Sequence, residues 1–208
     1  MNTKNARLSS DWDTDVENLG DEIRQLRRAN NLTLTELGDK IGKSAAFLSL
    51  VERNKTKPSI AALQEISDAL GVHVGWFFQS DPDVDSEERK VVVRAANRRR
   101  ISYSGMAETD YLGHYDHLLS ANLDGDLVLG MSRYEPGGST GDDHYSHQGE
   151  EAGIVFQGTI ELTVGGETYV LEEGDSFSFT STEPHRYHNP GDNDAVIVWA
   201  NTPITLRP

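Results

Sequence analysis

Apolar residues recur at helical spacing through the first third of the chain and at strand-like spacing through its last half. Leu19, Ile23 and Leu26 form one helical stripe, with Arg24, Arg27 and Arg28 largely on the other side. Leu34, Leu37 and Ile41 form a second; Gly42 interrupts it, Ser44 is placed to cap a new helix, and Leu48 and Val51 supply a third stripe. Two short helices joined by a tight glycine turn are therefore predicted within Leu32 to Pro58. Pro58 and Ser59 open a further helix, where Ile60, Leu63, Ile66 and Leu70 have packing spacing and Gly71 is the stop. A last short helix, Val74 to Phe78, closes the bundle with Trp76, Phe77 and Phe78.

From about Ile101 short strands replace the helical period: Leu127 to Tyr134, Gly153 to Phe156, Ile160 to Val164, Thr168 to Leu171, Ser176 to Thr180 and Ala195 to Asn201. Turn-forming residues separate them, as in Glu135-Pro136-Gly137-Gly138, Gly165-Gly166 and Asn189-Pro190-Gly191-Asp192. Strands at this even spacing imply an all-β barrel or jelly roll. The chain thus divides into a polar, acidic tail over 1–18, read as mobile; an all-α unit over 19–78; a linker and first strand over 79–100; and the β unit over 101–208. In the linker, Gln79 to Glu88 is acidic and broken by Pro82, which suits a flexible connector. Val91 to Val93 reads as a strand. Arg98, Arg99 and Arg100 form the one dense basic run, suited either to DNA phosphate or, preferably, to carboxylates of the acidic unit beside it.

Charge sharpens that division. The net charge is −15 over 208 residues, yet residues 1–100 carry 16 Lys+Arg and 16 Asp+Glu, while residues 101–208 carry 3 and 18. Nucleic acid would have to be met by the N-terminal half, since so acidic a surface repels phosphates. With no cysteine, disulfides and thiolate metal sites are excluded, and His, carboxylate and Tyr remain as metal ligands. No stretch approaches the run of about 20 apolar residues of a membrane span, so a soluble cytoplasmic protein with no membrane partner is expected.

The stretch from Leu34 through Gly42 and Ser44 to Val51, followed by Glu52-Arg53 and the polar loop Asn54 to Lys57, resembles the helix-turn-helix of the repressor/Cro (XRE) family. The resemblance implies a five-helix DNA-binding bundle whose second motif helix, about Ser44 to Asn54, enters the major groove. Ala45, Ala46, Ser49 and Leu50 would then face the bases, with Lys43 and Ser44 at the helix start. Lys55, Thr56 and Lys57 suit phosphate contact, as does Arg27 or Arg28 of the first helix. Alanine and leucine touch only thymine methyls, so direct readout is weak and DNA shape carries part of the specificity. The family often has a long polar residue where Leu50 stands. Glu52 holds the bundle together. The competing reading is a helical bundle that binds protein.

In the β half, Tyr145 to Gly158 (YSHQGEEAGIVFQG) and Glu172 to Asn189 (EEGDSFSFTSTEPHRYHN) resemble the two motifs of the cupin family, whose double-stranded β-helix holds a metal between a His-x-His…Glu cluster and a later His. His147, Glu151, Gly158, Gly174, His185 and Asn189 match by position; Tyr145 stands where the first metal histidine is usual, and the neighbouring His144 points to the other strand face. The resemblance implies a site of His147, Glu151 and His185, with Tyr145, for one divalent ion such as Fe, Zn, Mn or Ni. Alternatively, the same residues form a polar pocket for an organic effector without metal. Tyr134, Tyr187 and Trp199 are further candidate walls, and Arg133 or Arg186 could anchor a ligand carboxylate, although Arg186 alternates with His185 and is therefore expected to face away. His114, His117 and His188 read as surface histidines.

The two resemblances together imply a transcriptional regulator: a homodimer that binds a double-stranded operator and whose cupin barrel binds a small-molecule effector. The rival is an enzyme, a helix-turn-helix-fused mononuclear-metal cupin oxygenase like the hydroxypropylphosphonate epoxidases, using His147, Glu151 and His185.

Overall fold

The computed structural model describes residues 19–78, 86–101 and 112–206. The acidic tail and most of the acidic connector lie outside them. Helices α1 (Leu19–Ala29), α2 (Leu34–Ile41), α3 (Ala45–Glu52) and α4 (Ile60–Leu70) and a 3-10 helix at Val74–Phe78 form the helical domain. Local chemistry sets each boundary. Thr33 and Glu36 form a capping box at α2, and Ser44 and Ser59 cap α3 and α4 through the amides of Phe47 and Ala62. Gly42 ends α2 at φ 65°, a conformation that glycine adopts without a Cβ penalty. Ile23, Leu26, Leu37, Leu48, Val51, Leu63, Ile66 and Leu70 form its core, closed by Trp76 and Phe77, while Phe78 stays 41% exposed.

Nine strands follow a short α5 (Ser86–Arg89): β1 (Arg99–Ile101), β2 (His114–Leu118), β3 (Val128–Tyr134), β4 (Glu150–Gln157), β5 (Thr159–Val164), β6 (Glu167–Glu172), β7 (Ser176–Thr180), β8 (His185–His188) and β9 (Ala195–Thr202). All pairings are antiparallel, in a six-stranded sheet β1-β2-β3-β9-β4-β7 and a three-stranded sheet β6-β5-β8. Consecutive residues alternate inward and outward, as in β3, where Val128, Gly130, Ser132 and Tyr134 are buried. The result is an antiparallel jelly roll.

Val91 to Val93 departs from expectation. It forms no strand, and Val91 is 81% exposed: the amides of Val91 and Val92 bond instead to the Glu88 carbonyl of α5, and β propensity alone does not make a strand. The basic run also behaves differently. Arg99 pairs at 2.6 Å with Glu22 of α1, not with a barrel carboxylate, and lies over the Trp76 ring at 5.1 Å; Arg100 covers the Tyr115 ring. It thereby fastens the barrel to the helical domain. Gln25 adds to the joint, donating to Asp124 at 2.9 Å and accepting from the Leu123 amide at 3.2 Å.

Candidate functional site

Two surfaces carry candidate chemistry. On the first, Leu48 and Val51 anchor α3 in the core, so Ala46 and Leu50 are exposed on its outer face and Ala45 and Ser49 are half-buried beside them. The loop after α3 exposes Lys55 and Lys57, with Thr56 partly covered, and neither lysine is ion-paired among the described residues. Lys43, before α3, pairs loosely with Glu65 at 3.2 Å. Asn54, at φ 54°, turns back so that its Oδ1 accepts from the Gly20 amide, which ties the loop to the start of α1.

Arg28 is exposed, but Arg27 is not available for phosphate in this arrangement. Its guanidinium is only 13% exposed and meets both Glu52 oxygens, at 2.6 and 2.9 Å, and the Leu32 carbonyl at 2.7 Å. Bidentate pairing to a carboxylate buried at the end of α3 makes Arg27 an internal clamp. This corrects the reading of Arg27 as a backbone contact and gives Glu52 its bundle role a named partner.

On the second surface, the barrel gathers His147, Glu151 and His185. Gly149, at φ 99°, makes the sharp turn between the first two; a Cβ there would meet the Thr202 carbonyl at 1.9 Å, so only glycine fits. The His147 amide donates to Ser181, and Tyr145 exchanges both backbone hydrogen bonds with His185, fixing the four side chains across the barrel. His147 Nε2 lies 3.3 Å and His185 Nε2 3.9 Å from Glu151 Oε2, and one ligand atom of each residue falls within 4.8 Å of the others. Tyr187 donates its hydroxyl to the other Glu151 oxygen at 2.5 Å. Tyr145 packs edge-on against the His185 ring at 4.2 Å. His144 is exposed.

Protonation follows from these partners. His185 Nδ1 faces the Glu183 carbonyl at 2.8 Å, so it carries the hydrogen and leaves a lone pair on Nε2; that buried atom has no hydrogen-bond partner among the described residues. Burial holds its pKa below the usual value, against the raising influence of Glu183 and Glu151. Burial also acts to lower His147, but hydrogen bonds to Glu151 and the Gln148 carbonyl, with the Glu151 charge, leave it raised. Burial and then the charge on Glu151 push the Tyr145 and Tyr187 phenols well up, so both remain protonated donors. Two imidazoles and a carboxylate, one nitrogen being a buried orphan, fit a single divalent ion of the Fe, Zn, Mn or Ni kind.

The cavity beside this cluster holds only about 40 Å³. Tyr134, Tyr145, His147, Glu151, Tyr187 and Trp199 line it, while His185 reaches the cluster 3.9 Å from Glu151 without lining the cavity. Asp116, Ser132, Thr140, Asn201 and Thr205 also reach it and are not marked by sequence motifs. Asp116 sits on β2, whose His-Tyr-Asp-His-Leu sequence has no apolar alternation; only pairing with β3 reveals which way it faces.

Several expectations need correction here. Arg133 does not line the cavity but pairs with Asp194 at 2.5 Å; Arg186, in keeping with its alternation with His185, does not line it either and donates to the Gly141 carbonyl. Asp116 and Glu151 are the acidic walls of the cavity, and His147 is its basic one. The three supposed surface histidines are each engaged: His114 stacks on Tyr134 at 5.3 Å, His117 meets Tyr115 edge-on, and His188 contacts Glu161 at 2.8 Å. Asn189 is fully buried and donates to the carbonyls of Tyr134, Glu135 and Asn193, a structural knot.

Comparison with known proteins adds to this geometry. A family model for helix-turn-helix domains matches residues 23–77 and one for cupin domains matches residues 130–201. The chain is similar to the HTH-type transcriptional regulator PuuR of Escherichia coli (strain K12), 28% identical over 187 residues that span 90% of this chain and 96% of that protein. Among solved structures it is similar to an HTH_3 family transcriptional regulator from Vibrio cholerae, 23% identical with a TM-score of 0.42, covering 91% of this chain and 98% of that one. It is also similar to FeII HppE, 17% identical with a TM-score of 0.46, covering 90% and 100%.

Proposed function

We propose that the chain, whose two parts match the helix-turn-helix and cupin family models and which is similar along most of its length to a transcriptional regulator, is itself a DNA-binding regulator, that its barrel receives a small-molecule effector and that occupancy alters the grip of the helical head on operator DNA. In this reading base edges meet Ala45, Ala46, Ser49 and Leu50, and phosphates meet Arg28, Lys43, Ser44, Lys55, Thr56 and Lys57. The observation that carries it is the exposure of α3's outer face beside the two unpaired lysines, on a head whose core is otherwise complete.

The effector is small, and cationic or neutral, since its cavity has two carboxylate walls and no Lys or Arg. A divalent ion held by His147, Glu151 and His185 would neutralise Glu151 and offer a position to a donor atom of the effector. The protein acts as a homodimer in the cytoplasm; no helix among the described residues is long and apolar enough to cross a membrane. A second copy is the fitting cover for the outer face of the six-stranded sheet, where Leu129, Ile154 and Phe156 are 38%, 43% and 67% exposed. Two heads so joined would read half-sites about 34 Å apart.

Oxygenase-like chemistry on the same triad is the second reading, favoured by the orphan His185 Nε2; the regulator relative and the complete helical head weigh against it. Selection of bound duplexes from a random pool, at two salt concentrations, tests the first reading. A recurring palindrome is the expected result, and enrichment of no sequence at low salt would refute it. Oxygen consumption by iron-loaded protein, with no DNA selectivity, would establish the second.

A further inference from the structure

The inner cavity is far below the roughly 300–1,000 Å³ of ordinary metabolite pockets. A second space adjoins it. A cleft of about 600 Å³ lies between the barrel mouth, at Ser146, Gln148, Thr182 and Pro203, and Asn31 in the turn between α1 and α2. His147 and Thr205 line both spaces, so the two meet at those side chains. Resting on the effector reading above, we propose that this cleft is the outer half of the effector site, that it takes a neutral, hydroxyl- or amide-bearing part of the ligand, and that Asn31 transmits its occupancy to α3.

The ligand class follows from the walls. Hydroxyls of Ser146, Thr182 and Thr205 and carboxamides of Gln148 and Asn31 supply both donors and acceptors, and His147 is the one ionisable group among them. Such a lining satisfies hydroxyls and amides and gives no counter-charge to an anion.

The transmission route is short. Asn31, at φ 54°, donates its amide hydrogen to the Arg28 carbonyl, and the amide of the next residue, Leu32, donates to the Arg27 carbonyl at 3.0 Å. The Arg27 guanidinium spans the Leu32 carbonyl and both oxygens of Glu52, the last residue of α3. One arginine therefore holds the turn facing the cleft and the end of the helix facing DNA. A ligand that draws Asn31 toward the barrel pulls on the same clamp that sets α3.

The chain contains no cysteine, so Thr182→Cys introduces a single thiol at the cleft. Alkylation with iodoacetamide then tethers a carboxamide there, and Gln148→Cys treated alike is a second placement. With either adduct, amide exchange at residues 31–33 is expected to slow by about threefold or more, and affinity for the selected duplex to change by about fivefold or more. Asn31→Gly in the adduct background keeps the left-handed backbone, removes the carboxamide and should abolish both effects. Unchanged exchange at 31–33 in both adducts, with mass spectrometry confirming alkylation, would overturn the proposal. Slowed exchange in a protein that selects no duplex would support the coupled cleft while removing the regulator reading.

Discussion

Among the described residues the helical domain buries two polar or charged side chains, Glu52 and Ser67, whereas the barrel buries eight, including Asp116, Glu151, His185 and Asn189. The head is an apolar packing unit whose polar chemistry is displayed outward, on α3 and the lysine loop. The barrel has the reverse design, with its ionisable groups converging on a small interior space. Buried polar groups are retained where hydrogen bonds or a ligand satisfy them. The contrast separates a unit whose polar groups face outward from one whose polar groups face inward, and the buried Arg27–Glu52 pair inside the head is the exception.

Arg27→Ala tests that exception and has the largest expected effect. It leaves the Glu52 carboxylate, 6% exposed, without its partner, which should cost about 3 kcal/mol in urea unfolding. A change confined to DNA affinity, with stability intact, would instead return Arg27 to the phosphate surface. Glu151→Ala comes next. It removes the acceptor of the Tyr187 hydroxyl and the neighbour of both imidazoles, for about 2 kcal/mol of barrel stability. Metal uptake, followed by elemental analysis of protein purified without chelator, should be lost, while DNA affinity without effector is retained.

Lys55→Ala and Lys57→Ala should change stability by less than about 0.5 kcal/mol. Each should weaken DNA binding across sequences and reduce the salt slope by about one. A loss of folding in either would contradict the outward design of the head.

The smallest effect concerns acid. Burial lowers the pKa of His114, and burial with the Arg100 and Arg98 charges lowers that of His117, both from an ordinary value of 6.5. The unfolded chain therefore takes up protons first, and stability falls as pH drops through 6.5 toward the folded-state values. His147, with its raised pKa, works oppositely: its contribution is present below the unfolded value and is lost as pH rises through the folded one. His114→Phe keeps the stack on Tyr134 and should flatten the acid limb; an unchanged limb in thermal melts at pH 7 and 5.5 would remove His114 as its source.

The head was largely legible in the sequence because its information is local. Ser44, Ser59 and Gly42 sit within one turn of the ends they define, and a 3.6-residue period marks Leu48 and Val51 as inward. The central barrel strands were legible from alternation and turn residues. β2 and β8 were not, since His114 to Leu118 and His185 to His188 owe their burial to β3 and β5 alongside, and Asp116 was missed for that reason. Arg27 was misread because its partner lies 25 residues away; at helical spacing a clamp and a solvent-facing cation look alike. The cupin motif brought out Glu151 and His185, but nothing in the chain's pattern predicted that Asn31 would face the barrel mouth.

The separation of outward-reading head and inward-sensing barrel is tested most directly by the affinity and salt slope of the full chain for its selected duplex, compared between the Lys55→Ala/Lys57→Ala and Glu151→Ala proteins. The lysine variant should lose affinity and about two units of slope, and the barrel variant should match the parent in both. Equal losses in the two, or a barrel variant that alone loses the slope, would contradict the separation.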